Sequence, residues 1–382
     1  MRILHTSDWH IGRTFHGHST LDALRGVLDV LVAQVREQEV DVVLVAGDVF
    51  DSATPAAAAY RLLSDTLAAL ADTGAQVVVT SGNHDSAARL GFQSALLREG
   101  VRVATDPATI GTPVTLRDAD GDVHIYPLPY LEPALLRHRW EGVRTQEQAM
   151  SRAMELVHAD RVSRGGRSVV VAHCFAAGVE PTHGLERDIQ QGGLDVVPLS
   201  LFDGIDYVAL GHIHGRQRLA DHVRYAGAPL HYSFGEATKP RGSWLIDLAA
   251  DGSNVARWLE LPVPRSLVTL RGAFEEILAD PAYAGHDADW VAIEYTDSVP
   301  VRDPMRRAQE RFPFCAHVAH LPAVTRSRAD TSYVARVRAA RSDRDLLDVF
   351  LRHVREGEGA TTAEADVLAE VLDDRIRVEA SL

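Results

Sequence analysis

Two side chains that could hold a metal ion follow the first apolar segment of the chain, in the run RILHTSDWHIG. Asp8 and His10 come shortly after Ile3 and Leu4 and are separated by one residue. Residues two apart lie on the same face of an extended strand, so both side chains could face one shared object. A lone Asp-x-His is more often a polar turn. The residues at the ends of the other apolar segments decide between the two interpretations.

Four further apolar segments end in side chains of the same kinds. These side chains belong to Asp48, Asn83, His173, His212 and His214. Ligands bind at the carboxyl ends of strands in layered α/β folds, so we expect these side chains and the first pair to share one rim. Imidazole, carboxylate and amide donors without a thiolate suit Mn²⁺, Fe²⁺ or Zn²⁺.

Seven such ligands are too many for one ion and predict two, with one carboxylate bridging them. Two metals about 4 Å apart can activate a water and stabilise both oxygens of an in-line displacement at phosphorus. His84, next to Asn83, could donate a proton to the leaving oxygen, and Asp51 or Asp85 could orient it. The residues therefore indicate a phosphoester hydrolase.

The first ~115 residues alternate apolar strands with amphipathic helices, which implies a sheet covered on both faces. The patterns predict helices over 20–39, over 55–74 with Pro55 in the first turn, and over 86–100. A hairpin at Asp120-Gly121, a helix over about 144–164, three strands and a closing hairpin follow. Residues 267–325 read as a small α+β unit. Ser342 is a predicted N-cap, and Thr361 and Glu364 have capping-box spacing before two C-terminal amphipathic helices.

Composition limits the classes of protein that fit. A length of 382 residues suggests two or three domains, and the net charge of −14 argues against coating nucleic acid by bulk electrostatics. It leaves phosphate-ester chemistry open, because bound cations reverse the local charge. Two cysteines give no disulfide framework. No segment approaches the ~20 apolar residues of a membrane span, and no secretory signal is evident, so we expect a cytoplasmic protein with no membrane partner.

The series of strand-end motifs resembles the calcineurin-like metallophosphoesterases. TSDWHIG, GDVFDSATP, SGNHDS and DYVALGHIHGRQ are similar, more narrowly, to the SbcD family, the nuclease subunits of bacterial SbcC–SbcD complexes. APLHYSFGEATKPRG also resembles that family after its last metal motif. The resemblance covers about residues 1–260 strongly and the remainder loosely.

This resemblance implies a layered metallophosphoesterase β-sandwich flanked by helices, with a small α+β cap and C-terminal helices. It implies one metal on Asp8, His10, Asp48 and His214, and the other on Asp48, Asn83, His173 and His212. Asp48 would bridge the two, and His84 would be the catalytic histidine. Some relatives have a histidine where this chain has Asp51, so Asp51 is expected only to orient His84. The family is Mn²⁺-dependent, with Mg²⁺ as the other candidate metal.

The expected activities are double-strand 3′→5′ exonuclease and single-strand or hairpin endonuclease, in DNA end processing, repair and recombination. We expect a nuclease domain over 1–263, a cap over 264–340 and a partner-docking segment over 341–382. The partners would be DNA, a second copy of the chain and the ATPase SbcC, two subunits of each forming a heterotetramer. No Gly-rich loop ending in Gly-Lys-Ser/Thr occurs, so ATP would act only through SbcC. The arginine-rich stretch 325–344 could contact phosphate or serve as a solvated linker.

Two other functions remain open. One is a phosphatase or phosphodiesterase of the same superfamily that acts on nucleotides or phosphoproteins, although small enzymes of that kind need only the first ~260 residues. The other is an inactive scaffold that keeps the fold for binding. The complete set of strand-end residues, with His84, speaks against a scaffold.

Overall fold

Two six-stranded β-sheets pack face to face in the first 260 residues. The computed structural model describes residues 1–178, 196–322, 331–355 and 357–379. In order across the first sheet, the strands are Asn254–Glu260, Gly242–Leu248, Arg2–Thr6, Val42–Ala46, Gln76–Thr80 and Val101–Ala104. In order across the second sheet, they are Gln217–Arg218, Val223–Tyr225, Tyr207–Gly211, Arg167–His173, Gly121–Pro127 and Val114–Asp118.

The central strands of each sheet run parallel. Arg2–Thr6 pairs with Val42–Ala46, which pairs with Gln76–Thr80, and in the other sheet Arg167–His173 pairs with Tyr207–Gly211. These strands are continuous Val- and Ala-rich runs because both of their faces are buried. Parallel pairing brings the carboxyl ends of neighbouring strands to one edge of each sheet.

The layers are held together by three apolar clusters. Between the sheets lie side chains such as Leu44, Val78, Val169 and Ile246. Helices Leu21–Glu37 and Ala57–Ala71 cover the outer face of the first sheet, and helix Gln146–Arg164 packs in the cluster on the second. This arrangement confirms the expected β-sandwich flanked by helices. Each sheet is covered on one face by helices and on the other by its partner sheet.

One predicted helix is wrong. Over 86–100 the chain forms only a short helix, Ala87–Leu90, and a 3₁₀ turn, Ser94–Leu96. Gln93 between them has a left-handed φ of 65°. Phe92 and Leu96 are 73% and 80% exposed, so these two apolar side chains do not pack into the core that the described residues form, although Leu90 does.

Two smaller differences concern neighbouring elements. The helix predicted over 55–74 begins at Ala57, with Ala56 extended at the N-cap, so Pro55 lies just outside the first turn. The strand Val101–Ala104 was not predicted from the sequence. It is short, and only its first residue is buried.

The predicted α+β unit is confirmed. Its sheet consists of Leu267–Gly272, Trp290–Tyr295 and Cys315–His320. Helices Phe274–Ala279 and Pro304–Arg311 complete the unit around a core that includes Phe274, Ile293 and Phe312. The remaining short elements are strands Thr14–Phe15, His18–Ser19, Phe175–Ala176 and Val196–Val197, helix Pro133–Leu136, and 3₁₀ turns Pro107–Thr109, Leu199–Phe202, Phe234–Glu236 and Pro281–His286.

The chain divides into two compact units. Residues 1–295 and 301–319 form the first, and residues 296–300 and 320–382 form the second. Its helices are Thr331–Ala339, Asp343–Val354 and Thr362–Glu379. The predicted caps are confirmed: the Ser342 hydroxyl accepts from the Asp345 N–H, and the Glu364 carboxylate accepts from the Thr361 N–H at 2.9 Å. Part of the arginine-rich stretch, residues 325–330, lies outside the described residues. The domain boundaries at 263 and 340 stay predictions.

The middle helix of the second unit has no buried side chain. In Asp343–Val354, Leu346 and Phe350 are 40% and 49% exposed although they belong to its apolar face. Among the described helices, none is long and apolar enough to cross a membrane.

Candidate metal centre

The structure brings all seven predicted ligand residues to one rim, where the parallel strands of both sheets end. The first sheet supplies Asp8, His10, Asp48 and Asn83. The second sheet supplies His173, His212 and His214. The two sheets face each other, so the rim is formed from both.

The backbone at four of these residues is strained. Asp8, His10, Asp48 and His212 have φ values of 53°, 45°, 47° and 109°. Left-handed φ angles are uncommon for residues with a side chain, and they persist where the surrounding structure imposes them. Such strain concentrates at functional sites, and here it turns the side chains towards one another.

Glycines before the candidate ligands allow close contacts, between the two sheets at Gly211 and between two neighbouring strand ends of the first sheet at Gly82. A Cβ at Gly211 would lie 1.8 Å from the Ala46 carbonyl oxygen, and one at Gly82 would lie 2.1 Å from Asp48 Oδ1. Neither distance is possible for a side chain. The Gly-Asn and Gly-His pairs in the sequence therefore reflect close contacts as well as chemistry.

Four side chains surround one half of the centre. His10 Nε2 lies 3.0 Å from His214 Nε2 and 3.5 Å from Asp48 Oδ2. Ligand atoms of Asp8, His10 and His214 lie within 4.8 Å of one another. Asp8 is fixed in place, since its carboxylate accepts hydrogen bonds from the His212 N–H at 2.9 Å and the Ser7 hydroxyl at 2.5 Å.

The other half shares a carboxylate oxygen with the first. His173 Nε2 lies 2.9 Å from Asn83 Oδ1 and 3.4 Å from Asp48 Oδ2. His212 Nδ1 lies 3.0 Å from the same Asn83 oxygen. Asp48 Oδ2 thus faces both groups, which is the arrangement that a bridging carboxylate requires.

The spacing of these atoms fits metal coordination. Ligands that share one ion at about 2.1 Å lie roughly 3.0–3.4 Å from each other, close to the separations observed. At such distances the lone pairs of imidazole and carboxylate oppose one another unless a proton or a cation lies between them. The residues therefore fit two divalent cations.

Burial sets the protonation of the imidazoles. It lowers the pKa of His10, lowers that of His214 well below its usual value, and together with the nearby His173 lowers that of His212 to about 3. A neutral imidazole is the form that binds metal. His173 differs: burial lowers its pKa too, but Asp48, Asp8 and the Ala46 carbonyl together raise that pKa to about 9. A metal ion would take the place of the proton on His173.

His84 lies at the edge of the centre and is half-buried. Its backbone N–H donates to Asp48 Oδ1 at 2.9 Å, and its ring meets that of His10 edge-on at 4.8 Å between centroids. The backbone oxygen of Asp51 lies 2.8 Å from Nδ1, so Nδ1 is the donor. Nε2 is thereby left for proton transfer.

The carboxyl groups of Asp51 and Asp85 contact other groups. The Asp51 carboxylate lies 3.4 Å from His10 Nδ1 and accepts from Arg13 at 3.1 Å. The Asp85 carboxylate accepts from the backbone N–H groups of Val49, Phe50 and Gly82. Burial, together with Asp48, raises the pKa of Asp85 to about 6. The group that holds the His84 ring is thus the backbone of Asp51, while Asp85 ties two loops together.

Residues that the sequence analysis did not single out lie behind His10 and His214. The Tyr232 ring meets these two imidazoles at centroid distances of 5.6 and 5.9 Å. Glu236 and Arg241 are buried beside it. The one sequence signal was the Ser233-x-x-Glu236 spacing of a capping box, and the structure forms that box.

Comparison with known proteins agrees with this architecture. A sequence model described as Calcineurin-like phosphoesterase matches residues 1–216, more than half of the chain. The chain belongs to this family. A second model matches residues 263–356 of the phosphoesterase. It covers the SbcD C-terminal region, and its description is Type 5 capsule protein repressor C-terminal domain. The two matches confirm the predicted resemblance to SbcD-type subunits.

Solved structures similar to this phosphoesterase include the TT1561 protein of Thermus thermophilus. It is 12% identical, with 67% of this chain and 98% of that chain covered at a TM-score of 0.40. A dimetal phosphatase from Danio rerio is 13% identical, with coverages of 69% and 98% and a TM-score of 0.40. A putative 5′-nucleotidase from Staphylococcus aureus is 14% identical, with coverages of 68% and 54% and a TM-score of 0.41.

Proposed function

We propose that this phosphoesterase is the DNA nuclease subunit of an SbcC–SbcD-type complex and that it uses two divalent cations, with Mn²⁺ as the preferred metal. Asp8, His10, Asp48 and His214 would hold one cation, and Asp48, Asn83, His173 and His212 the other. The observation that carries the proposal is the shared Asp48 oxygen, 3.5 Å from His10 Nε2 and 3.4 Å from His173 Nε2. The match of residues 263–356 to the SbcD C-terminal model favours DNA over small phosphoesters.

The chemistry follows from these residues. Bound cations would supply Lewis-acid activation of a water and of the phosphate. His84 is held through Nδ1 by the Asp51 carbonyl, so its Nε2 can carry a proton to the leaving oxygen. The Asp51 carboxylate, which accepts from Arg13, lies on the opposite side of His10 and keeps that imidazole directed at the centre.

The C-terminal helices are the proposed docking surface for SbcC. Helix Asp343–Val354 exposes Leu346, Phe350 and Val354, and Thr362–Glu379 exposes Val367 and Val371. An apolar face left open on two successive helices fits a helical partner such as the coiled coil of an ATPase. ATP would then act through that partner, in a heterotetramer with two copies of each chain.

A second surface supports the proposed homodimer. Phe92, Leu96 and Leu97 are exposed beside an apolar groove that Tyr60 and Leu63 also line. Such patches mark sites of protein association more often than free surface. The proposed location of the complex is the cytoplasm, where it would meet DNA.

The test is cleavage of labelled blunt duplex and hairpin DNA by the purified chain, with Mn²⁺ or Mg²⁺ and with or without SbcC and ATP. We expect Mn²⁺-dependent cleavage that His84→Ala removes and that His138→Ala, at an exposed histidine, leaves unchanged. Intact DNA alongside hydrolysis of an aryl phosphodiester would overturn the nuclease assignment and leave a phosphodiesterase.

A further inference from the structure

Behind His214 runs the segment Leu230–Arg241, which supplies no predicted ligand but buries Tyr232, Glu236 and Arg241 beside the metal centre. Tyr232 donates its hydroxyl to the Trp9 carbonyl at 2.7 Å. Arg241 donates to the carbonyls of His214 and Ala228 at 2.7 and 3.1 Å. The backbone of His214 is therefore held from this side.

Glu236 is the acidic residue of this segment, and it is completely buried. Its Oε2 accepts from the Tyr232 N–H at 2.6 Å and from the Ser233 N–H at 3.2 Å. These two bonds form part of the cap of the turn Phe234–Glu236, where the Ser233 hydroxyl accepts from the Gly235 N–H at 3.0 Å. One oxygen of the carboxyl group thus has a structural role.

The second oxygen, Oε1, points at the metal centre. It lies 3.7 Å from His214 Nδ1 and 3.7 Å from Arg241 Nη1, and it forms no hydrogen bond with the described residues. His214 Nδ1 is also buried without a hydrogen-bond partner among them. Two complementary buried atoms therefore face each other, and a movement of ~0.7 Å would bring them to hydrogen-bond distance. Buried polar atoms without partners are rare and require an explanation.

The two nitrogens of an imidazole are linked through its tautomer. If Nδ1 donates to Glu236, Nε2 carries the lone pair, and Nε2 is the atom that lies 3.0 Å from His10 Nε2 in the centre. Metal-binding histidines commonly donate their other ring N–H to a carboxylate, which fixes the ring and its tautomer.

We propose that Glu236 is a positioning residue that holds His214 in its Nδ1–H tautomer and so presents Nε2 to a divalent cation. This inference rests on the proposed two-metal centre. Arg241 completes the arrangement, because it bonds the His214 carbonyl and lies beside Glu236 Oε1. The ring and the backbone of His214 are then fixed by two residues of one segment, Glu236 and Arg241.

The first test reads the tautomer in the metal-free protein. In ¹⁵N-histidine-labelled wild type, nitrogen–proton correlation spectra, assigned with a His214→Gln variant, should show His214 with its proton on Nδ1. Glu236→Gln keeps the shape of the side chain but turns an amide N–H towards His214, so it should move the proton to Nε2. A wild-type protein whose His214 carries its proton on Nε2 would overturn the proposal, whether or not Glu236→Gln folds.

The second test measures Mn²⁺ binding from the free-ion signal in electron paramagnetic resonance. We expect two sites in wild type and a roughly 10–100-fold weakening of one of them in Glu236→Gln. Ser233→Ala is the matched control, because it disturbs the same cap without touching His214, and it should bind as wild type does. Equal weakening in both variants, or unchanged binding in Glu236→Gln, would contradict the positioning role.

The two tests separate this inference from the proposed function. In one outcome, wild type binds fewer than two Mn²⁺ ions, and His214 carries its proton on Nδ1 only when Glu236 is present. The two-metal centre is then wrong, and the positioning contact is confirmed. If two ions bind and the tautomer does not depend on Glu236, the centre stands and the positioning role fails.

Discussion

Replacing Gly82 with alanine should damage the metal centre without adding or removing a ligand. The new Cβ would lie 2.1 Å from Asp48 Oδ1 and 2.2 Å from the Asp48 backbone nitrogen. Side-chain carbons are essentially never found closer than 3.0 Å to such atoms, so Asp48 and the backbone at position 82 must separate by at least 0.9 Å. The backbone of His84 is displaced too, because its N–H donates to the same oxygen at 2.9 Å.

The expected size of the effect follows from that displacement. A misplacement of about 1 Å in an active site can reduce the rate about 100-fold, and overpacking of this kind costs about 1–3 kcal/mol of stability. We therefore expect Gly82→Ala to hydrolyse bis(p-nitrophenyl) phosphate about 100-fold more slowly and to bind Mn²⁺ more weakly at both sites, since Asp48 faces both.

The matched control is Gly26→Ala. Gly26 lies inside helix Leu21–Glu37 with nothing within 4 Å of a new Cβ, so alanine should stabilise the protein by about 1 kcal/mol and leave activity unchanged. Placing Gly82→Ala in the Gly26→Ala background offsets part of its loss of stability. If the double variant binds two Mn²⁺ ions and turns over like wild type, close contact at Gly82 does not position Asp48, and the reasoning is refuted.

Three further predictions concern stability and association. Asp118→Asn should lower the free energy of unfolding by about 2–3 kcal/mol at pH 7, because it leaves the buried Arg167 without its carboxylate. Arg167 holds the pKa of Asp118 below its usual value of about 3.9, so the ion pair stabilises the fold above about pH 4, and this stabilisation is lost as the pH falls further. Urea titrations should therefore show the free energies of unfolding of wild type and Asp118→Asn converging below about pH 4. Mn²⁺ at about 100 times its Kd should raise the thermal midpoint by about 5–10 °C, and a chelator should reverse the rise; no change in calorimetry would count against the metal centre. Phe350→Ala should change the free energy of unfolding by less than about 0.5 kcal/mol, since Phe350 is half exposed, yet weaken SbcC binding at least tenfold in a calorimetric titration; undiminished binding would remove this helix from the docking surface.

The sequence predicts the positions of the candidate ligands because their placement depends on local rules. Each follows a continuous apolar strand, and parallel pairing of those strands brings Asp8 beside Asp48 in one sheet and His173 beside His212 in the other. Packing of the two sheets face to face then joins the two pairs. The β-sandwich and the small α+β unit are confirmed for the same reason, since the periodicity of apolar residues indicates both. The roles of the individual ligands stay predictions.

The rest depends on contacts that the pattern of apolar residues does not contain. The predicted helix over 86–100 is wrong because its apolar residues, such as Phe92 and Leu96, lie on the surface rather than against a core. The sequence does not indicate the contact between Glu236 and His214, because the two residues are 22 positions apart and meet only after the chain folds back. His84 is held by a backbone oxygen of Asp51, and side-chain types in a sequence do not reveal a backbone contact.

The most direct test of the central claim is anomalous diffraction at the manganese edge from crystals of the full chain grown with Mn²⁺. The account predicts two peaks, about 4 Å apart, with Asp48 between them and the Nε2 atoms of His10 and His173 on opposite sides. A single peak, or two peaks that do not share Asp48, would contradict it.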